Sequence, residues 1–118
     1  MEFLARIRAL LRRYYEHWES VLKAGKITME VEKHRVRVGK SLVLLSPYEF
    51  AVLHLLMRKA ERVLSPAYIM EYIWEFPLKT SSKALAMCLS RLRKKLGDAG
   101  RHIETIPNFG YCLRKTSL

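Results

Sequence analysis

The stretch SRLRKKL, residues 90–96, combines two residue types that together suit binding to a polyanion. Its basic residues are Arg91, Arg93, Lys94 and Lys95, and leucines are interspersed among them. Guanidinium and ammonium groups bind phosphate oxygens, and an arginine can also form two hydrogen bonds with the edge of a guanine. The stretch therefore has the chemistry for binding nucleic acid, provided that the leucines and the basic residues lie on different sides of a helix.

Helical geometry separates the two residue types. At 100° per residue, one narrow sector carries the leucines Leu85, Leu89, Leu92 and Leu96. The opposite half carries Thr80, Ala84, Met87, Arg91, Lys94 and Lys95. No Asp or Glu occurs between residues 80 and 96, although solvated faces usually mix both signs. Two interpretations stay open: a helix that enters the DNA major groove, and an ordinary surface helix with solvated charges.

The position of each exposed residue suggests a role in DNA binding. Arg91 projects near the middle of the exposed face, where it could read guanine O6 and N7. Lys94 and Lys95 lie nearer the helix end and are expected to bind phosphates. Ala84 and Met87 could contact thymine methyl groups, or they could form an apolar patch for a protein partner.

Composition agrees with a polyanion partner. The chain has 118 residues, half of them hydrophobic, and a formal net charge of +11, which suits one compact basic domain. Nucleic acid is the commonest polyanion, with anionic membranes and acidic proteins as alternatives. The sequence contains no 18-residue apolar run and no signal-peptide pattern, so we expect a cytoplasmic protein without a membrane partner.

The residues that could support catalysis or metal binding are scattered. Cys88 and Cys112 lie far apart, with no Cys-x-x-Cys spacing and no histidine pair nearby. No glycine-rich phosphate loop or nucleophile–histidine–carboxylate spacing occurs. We therefore expect a protein that is not an enzyme and that binds neither a cofactor nor a metal. We interpret Cys88 as a packed side chain, with a low-pKa redox sensor as the alternative.

The N-terminal residues 1–24 are predicted to form a separate helical unit. One apolar stripe recurs at steps of three and four residues, and it comprises Leu4, Ile7, Leu11, Tyr14, Trp18 and Val21. The helix is expected to pack on its own domain or on a domain absent from this chain. A membrane-surface helix or a dimerising helix is the alternative.

The remaining chain predicts an α+β domain. Alternating apolar residues between positions 27 and 43 indicate short antiparallel strands, with Gly39 and Lys40 in a tight turn. SPYE at residues 46–49 is a capping box, and Ser65 with Pro66 begins a second helix. A third helix should end at Gly97, and IETIPNFGYCL predicts a final hairpin.

These elements and strings resemble the winged-helix effector domain of the OmpR/PhoB family of bacterial response regulators. The resemblance covers nearly everything from about Gly25 to the C-terminus. It is carried by the strings LLSPYEFAVLHLLMRKAERVLSPAYIMEYIW, LSRLRKKL and IETIPNFGYCLRK. It implies a winged helix-turn-helix with an N-terminal sheet, three helices of which the third enters the major groove, and a hairpin wing near the minor groove. Residues 25–118 would form this domain, and residues 1–24 look like the end of a receiver domain and its linker.

The resemblance also implies further contacts. It adds Lys83, Cys88, Thr105 and Asn108 to the expected DNA-binding residues. In that family the loop before the recognition helix often contacts RNA polymerase, and here that loop comprises Glu75, Phe76, Leu78 and Lys79. Double-stranded DNA is the implied partner, and RNA polymerase or a second copy, through the N-terminal helix or on DNA, are further candidates.

Several residues depart from the family pattern. Family members often carry Asp-Val-His in the recognition helix, where this chain has Ala86, Met87 and Cys88. The wing commonly has an arginine where this chain has Pro107, and Cys112 replaces a residue that is often basic. The alternative function is therefore a degenerate winged helix that serves as a protein-interaction module.

Overall fold

A computed structural model describes residues 21–73 and 82–115. They form a four-stranded sheet, three α-helices, a 3-10 helix and a two-stranded hairpin. In chain order the elements are β1 (Val21–Ala24), β2 (Ile27–Glu30), β3 (Arg35–Val38), β4 (Ser41–Val43), α1 (Pro47–Arg58), α2 (Pro66–Ile73), α3 (Ser82–Leu96), the 3-10 helix (Gly97–His102), β5 (Ile103–Ile106) and β6 (Gly110–Leu113). The predicted α+β winged helix-turn-helix is confirmed, whereas the first 20 residues of the predicted N-terminal helix lie outside the described ranges.

The N-terminal sheet is an antiparallel meander in the order β1-β2-β3-β4. Ile27, Met29 and Val36 are buried, whereas Arg35 and Arg37 are exposed. Successive residues of a strand point to opposite faces, so this alternation places one face of the sheet on the core. The predicted short antiparallel strands are confirmed.

The turn between β3 and β4 has the predicted two residues, Gly39 and Lys40. Gly39 adopts φ +62°, a conformation that costs glycine little and other residues more. Val38 then pairs with Ser41 across the turn. A two-residue connection of this kind keeps β3 and β4 in one register.

The predicted N-terminal helix is wrong for its last four residues. Val21–Ala24 form strand β1, and Leu22 pairs with Met29 of β2 across a short turn. Four residues are too few to distinguish a helical stripe from a strand by spacing, and hydrogen bonding to β2 decides the structure. The predicted domain boundary at residue 24 thus falls inside the sheet.

Helices α1 and α2 begin at the predicted serines. The Ser46 hydroxyl accepts a hydrogen bond from the Glu49 amide at 3.2 Å, and the Glu49 carboxylate accepts one from the Ser46 amide at 2.9 Å. The Ser65 hydroxyl accepts a hydrogen bond from the Tyr68 amide at 3.1 Å. These bonds satisfy amide groups that have no partner within the helix. No helix within the described ranges is long and apolar enough to cross a membrane.

The hydrophobic core lies between the sheet and the three helices. Its largest fully buried side chains are Ile27, Met29, Val36, Val52, Leu53, Leu55, Leu56, Ile69, Leu85, Leu89, Leu92 and Leu113. Phe50 and Met57 of α1 are also buried, while Ile73 is partly buried against the cluster. All three helices and both sheets contribute, so the core fixes α3 relative to the rest of the domain.

The C-terminal hairpin is joined to the helical part by a third chain segment. Leu64, which precedes α2, forms a bridge to Tyr111 with hydrogen bonds of 2.8 and 2.9 Å in both directions. A Cβ atom on Gly110 would lie only 1.9 Å from the Leu64 carbonyl oxygen. Glycine at this position therefore permits the close approach of the two backbones.

Candidate nucleic-acid interface

One face of α3 anchors the helix in the core. Leu85, Leu89 and Leu92 are fully buried, and Leu96 is nearly so. The helix ends at Leu96 because Gly97 adopts φ +63°. The predicted leucine face and the predicted glycine stop are both confirmed.

The other face of α3 is exposed and basic. Its exposed side chains include Lys83, Ala84, Met87, Arg91 and Lys94. No carboxylate lies on the helix between residues 82 and 96. The face thus presents positive charge together with the apolar Met87, which is 49% exposed.

Lys95 differs from the other lysines of this face because it already has an anionic partner. Its Nζ atom donates a hydrogen bond of 2.7 Å to Oε1 of Glu49, which belongs to the capping box of α1. The Glu49 side chain is 4% exposed and that of Lys95 is 42% exposed. The pair links the end of α3 to the start of α1. The phosphate contact of Lys95 stays a prediction.

The Glu49 carboxylate is stabilised in its charged form. Burial acts to raise its pKa, but hydrogen bonds from Lys95 and Ser46 and the charge of Lys95 outweigh burial and lower the pKa below its ordinary value of 4.5. Glu49 is therefore ionised at neutral pH and keeps the Lys95 ammonium close to the body of the domain.

Arg93 joins α3 to the wing, a role that the sequence pattern does not predict. Its Nε donates a hydrogen bond to the Ile103 carbonyl at 3.2 Å, and its Nη2 donates one to the Thr105 hydroxyl at 2.6 Å. The planar guanidinium thereby spans β5 with two bonds. The only sequence signal was the position of Arg93 between the leucine face and the basic face, and spacing alone does not reveal a partner in β5.

The predicted final hairpin is confirmed, and its tip is a three-residue loop, residues 107–109. Ile106 pairs with Gly110, and the Phe109 amide donates a hydrogen bond of 3.0 Å to the Ile106 carbonyl. Asn108 adopts φ +69°, a conformation that asparagine tolerates better than most residues. Pro107, Asn108 and Phe109 are all exposed. The loop therefore presents one ring, one amide and one proline to solvent.

A polar network holds the outer strand of the wing. The Arg114 guanidinium lies 3.0 Å from the Glu104 carboxylate and 3.3 Å from that of Glu61. The Glu61 carboxylate also accepts a hydrogen bond of 2.7 Å from the Lys115 amide. That amide and the Arg114 charge lower the pKa of Glu61, and the two carboxylates raise the pKa of Arg114. The segment after α1 is thus tied to the end of β6.

The two cysteines are packed rather than activated. Burial and the nearby Glu49 carboxylate raise the pKa of Cys88, and burial raises the pKa of Cys112. The packed interpretation of Cys88 is therefore favoured over the low-pKa alternative. Within residues 21–73 and 82–115, no cluster of three His, Cys, Asp or Glu side chains could hold a metal ion.

Some predicted site residues lie outside the described ranges. They are Thr80 on the predicted DNA-binding face, and Glu75, Phe76, Leu78 and Lys79 of the predicted polymerase-contact loop. Among the described candidates, Lys83, Ala84, Met87, Cys88, Arg91, Lys94 and Lys95 lie on α3, and Thr105 and Asn108 lie on the wing. Arg93 connects these two groups.

Comparison with known proteins identifies the family. The sequence model of the family described as "Transcriptional regulatory protein, C terminal" matches residues 39–113, more than half of the chain. The chain belongs to this family. It is an effector domain of the OmpR/PhoB type, as the resemblance implied.

Curated relatives support this assignment. Response regulator MprA of Mycobacterium leprae is 38% identical over 120 aligned residues, which cover 98% of this chain and 53% of that protein. Transcriptional activator protein IrlR of Burkholderia pseudomallei is 30% identical over 119 aligned residues, with 99% and 52% covered. The chain therefore spans about half the length of these relatives.

Solved structures of effector domains share the fold. The DNA-binding domain of Klebsiella pneumoniae RstA, solved in complex with the RstA box, has a TM-score of 0.73 and 24% identity, covering 83% of this chain and all of that one. The Thermotoga maritima OmpR/PhoB homologue DrrB has a TM-score of 0.74 and 24% identity, covering 90% of this chain and 50% of that one. At this identity, the likeness concerns the fold.

Proposed function

We propose that this OmpR/PhoB-family domain binds double-stranded DNA as the output domain of a two-component transcription regulator. The observation that carries the proposal is the exposed basic face of α3, which has no carboxylate of its own and is held outward by four buried leucines. Such a face attracts a polyanion, and an α-helix fits the major groove. The RstA domain solved with its DNA box, which shares this fold, supports DNA as the partner.

The residues of α3 divide into those that read bases and those that bind the backbone. Arg91, exposed near the middle of the face, is assigned to a guanine edge. Lys83 and Lys94 are assigned to phosphates, which give affinity without sequence information. Met87 and its neighbour Ala84 are assigned to thymine methyl groups.

The wing is assigned to the minor groove. Thr105 already accepts a hydrogen bond from Arg93, and its own hydroxyl hydrogen remains available to a phosphate oxygen. Asn108 lies in the exposed tip. The two bonds from Arg93 place the wing and α3 in a fixed relation, so that one DNA segment can meet both.

Longer relatives suggest how the domain is used. The chain spans about half of MprA and IrlR. We propose that the whole protein has a receiver domain and that residues 1–24 form its junction with the effector domain. Contact with RNA polymerase through residues 75–79 and dimers on DNA are part of the same proposal. The names of these relatives describe regulators rather than enzymes, which supports a regulatory role for this chain.

A binding experiment with the full chain tests the proposal. Genomic fragments are selected for binding, and the selected site and a random duplex are then titrated at several salt concentrations. We expect salt-dependent binding to both and tighter binding to the selected site. Arg91→Ala should weaken binding to the selected site by about 1 to 3 kcal/mol and barely change binding to random DNA. Equal losses on both duplexes would reassign Arg91 to a phosphate.

The second candidate function is a protein-interaction module. It is favoured by the exposed apolar side chains Met87 on α3 and Phe109 on the wing, which are 49% and 69% exposed. Neither selected nor random DNA would then bind at physiological salt, and the Arg91, Lys94 and Lys95 variants would have no effect on DNA titrations. That result would overturn DNA binding.

A further inference from the structure

The tip of the wing carries an aromatic ring that the fold does not bury. Phe109 is 69% exposed, whereas Phe50 in α1 is 8% exposed. A phenylalanine side chain stabilises a domain chiefly through the apolar area that it removes from water. Phe109 therefore contributes little to the stability of the domain, and a ring in this place suits a contact with another molecule.

The backbone holds this ring in a defined position. The Phe109 amide is hydrogen-bonded to Ile106, and Gly110 follows directly, packed against the Leu64 backbone. Tyr111, the next residue of β6, is paired with Leu64 of the segment that precedes α2. The loop has only three residues between paired positions, so the ring moves with the hairpin rather than on a long tether.

The hairpin in turn is fixed to the basic helix. Arg93 of α3 donates hydrogen bonds to the Ile103 carbonyl and to the Thr105 hydroxyl, both in β5. A DNA duplex that lies on the basic face of α3 would therefore meet the wing tip at a constant distance along the site. The strong positive charge of the chain makes a polyanion the partner that these observations favour over an apolar protein surface.

The chemistry of the tip is apolar rather than basic. Residues 107–109 are Pro-Asn-Phe, without a lysine or arginine. Narrow A-tract minor grooves attract cationic side chains, which this tip lacks. Phenylalanine and proline instead act as wedges that partly unstack a base step and kink the duplex towards the major groove.

We propose that Phe109 inserts into the minor groove as an apolar wedge and selects a flexible pyrimidine–purine step, such as TA or CA/TG, at that place in the site. These steps unstack and kink at the lowest cost, so they bind such a wedge better than a stiff A-tract does. The proposal rests on the proposed DNA-binding function and adds a specificity-determining residue to it.

The test moves a TA step through the flank of the selected site. A set of duplexes shares the major-groove site and differs only in where one TA step replaces AA, with 2-aminopurine beside the step. The full chain is compared with Phe109→Ala, with Phe109→Leu, which keeps an apolar side chain, and with Leu44→Ala as a control at another exposed apolar position, 79% exposed. Affinity and 2-aminopurine fluorescence are measured for each.

For one placement of the TA step, we expect the full chain to bind the TA duplex about fivefold or more tightly than the AA duplex. The fluorescence of the 2-aminopurine beside the unstacked step should increase. Phe109→Ala should abolish this preference and the fluorescence change while keeping discrimination for the major-groove site. Phe109→Leu should retain part of the preference, and Leu44→Ala all of it. Because residues 109 and 44 are exposed, the variants should melt like the parent protein.

Two results would overturn the proposal and are distinguishable. Binding to the selected site without any dependence on the TA step, or a dependence that survives in Phe109→Ala, overturns the wedge alone. Absence of binding to every duplex overturns the proposed DNA-binding function and the wedge with it.

Discussion

Helix α3 and the outer half of the β5–β6 wing are held to the domain by different kinds of interaction. The helix buries Leu85, Leu89 and Leu92 completely. The wing buries Ile103, Cys112 and Leu113 towards its base. Its outer part is held by directional polar contacts, among them those of Arg93 and Arg114. Burying a leucine contributes about 1.5 to 3 kcal/mol, whereas exposed ion pairs contribute little. The position of α3 therefore depends on the core, and the orientation of the wing depends on contacts that scarcely affect stability.

This difference separates two consequences of mutation. A change on the leucine face of α3 should destabilise the whole domain and thereby weaken every function that needs the folded state. A change in the polar contacts of the wing should leave the fold intact and alter only how the wing meets a partner.

The largest effect is expected for Leu89→Ala. Truncating a fully buried leucine leaves a cavity and costs about 2 to 5 kcal/mol, a large share of the stability of a small domain. The thermal midpoint, followed by circular dichroism, should fall by roughly 10 °C or more. Lys83→Ala on the exposed face of the same helix is the matched control. A fall no larger than that of the control would mean that α3 is not anchored by its leucines.

Next in size is the effect of Glu49→Gln, which keeps the side-chain shape and removes the charge that Lys95 faces. We expect a loss of about 1 to 3 kcal/mol at neutral pH, because a buried hydrogen bond to a charged group is replaced by a neutral one. The pKa of Glu49 is lower in the folded protein than its ordinary value of 4.5, so its contribution is complete above that value. The contribution disappears as the pH falls through the lower, folded value.

Urea unfolding of parent and variant across acidic pH checks this dependence. The difference in unfolding free energy should be constant above the ordinary pKa of Glu49 and shrink below it. A difference that grows as the pH falls would reverse the sign and show that burial, rather than Lys95, dominates the ionisation of Glu49.

A smaller effect, on binding rather than stability, is expected for Arg93→Ala. Without its bonds to Ile103 and Thr105, the wing must be ordered on binding, which should weaken DNA affinity about three- to tenfold. The thermal midpoint should change little. The salt dependence of binding distinguishes a positioning residue from a phosphate contact: an unchanged slope of log K against log salt supports positioning, and a slope reduced by about 0.9 indicates a phosphate contact.

The sequence predicted the parts of the fold that depend on local pattern. Alternation in the strands, the serine caps at Ser46 and Ser65, the leucine face of α3 and the glycine at 97 each act through neighbouring residues along the chain, and all are confirmed. The resemblance to the family supplied the order of the elements. The basic face of the candidate site was predicted in the same way, from helical spacing.

Contacts between distant residues were not predictable in this way. The pairing of Lys95 with Glu49 joins residues 46 positions apart, and that of Glu61 with the Lys115 amide joins residues 54 apart. Arg93 and Lys94 are adjacent basic residues of the same stretch. Only the packed fold decides which basic side chain faces solvent and which faces β5. Strand β1 was missed because its partner, not its own four residues, determines its structure.

The smallest effect distinguishes two adjacent lysines. By sequence, Lys94 and Lys95 are equivalent candidates for phosphate, but the structure leaves Lys94 exposed and places Lys95 against Glu49 at 2.7 Å. A lysine that releases a counterion on binding changes the slope of log K against log salt by about 0.9, whereas a lysine that already neutralises a carboxylate releases none. Lys94→Ala should therefore flatten the salt dependence by about that amount, and Lys95→Ala should leave it nearly unchanged while lowering the thermal midpoint. Titrations of both variants at four or more salt concentrations measure the two slopes. Equal slope changes would mean that Lys95 leaves Glu49 when DNA binds, so that the ion pair between α3 and α1 is broken in the complex.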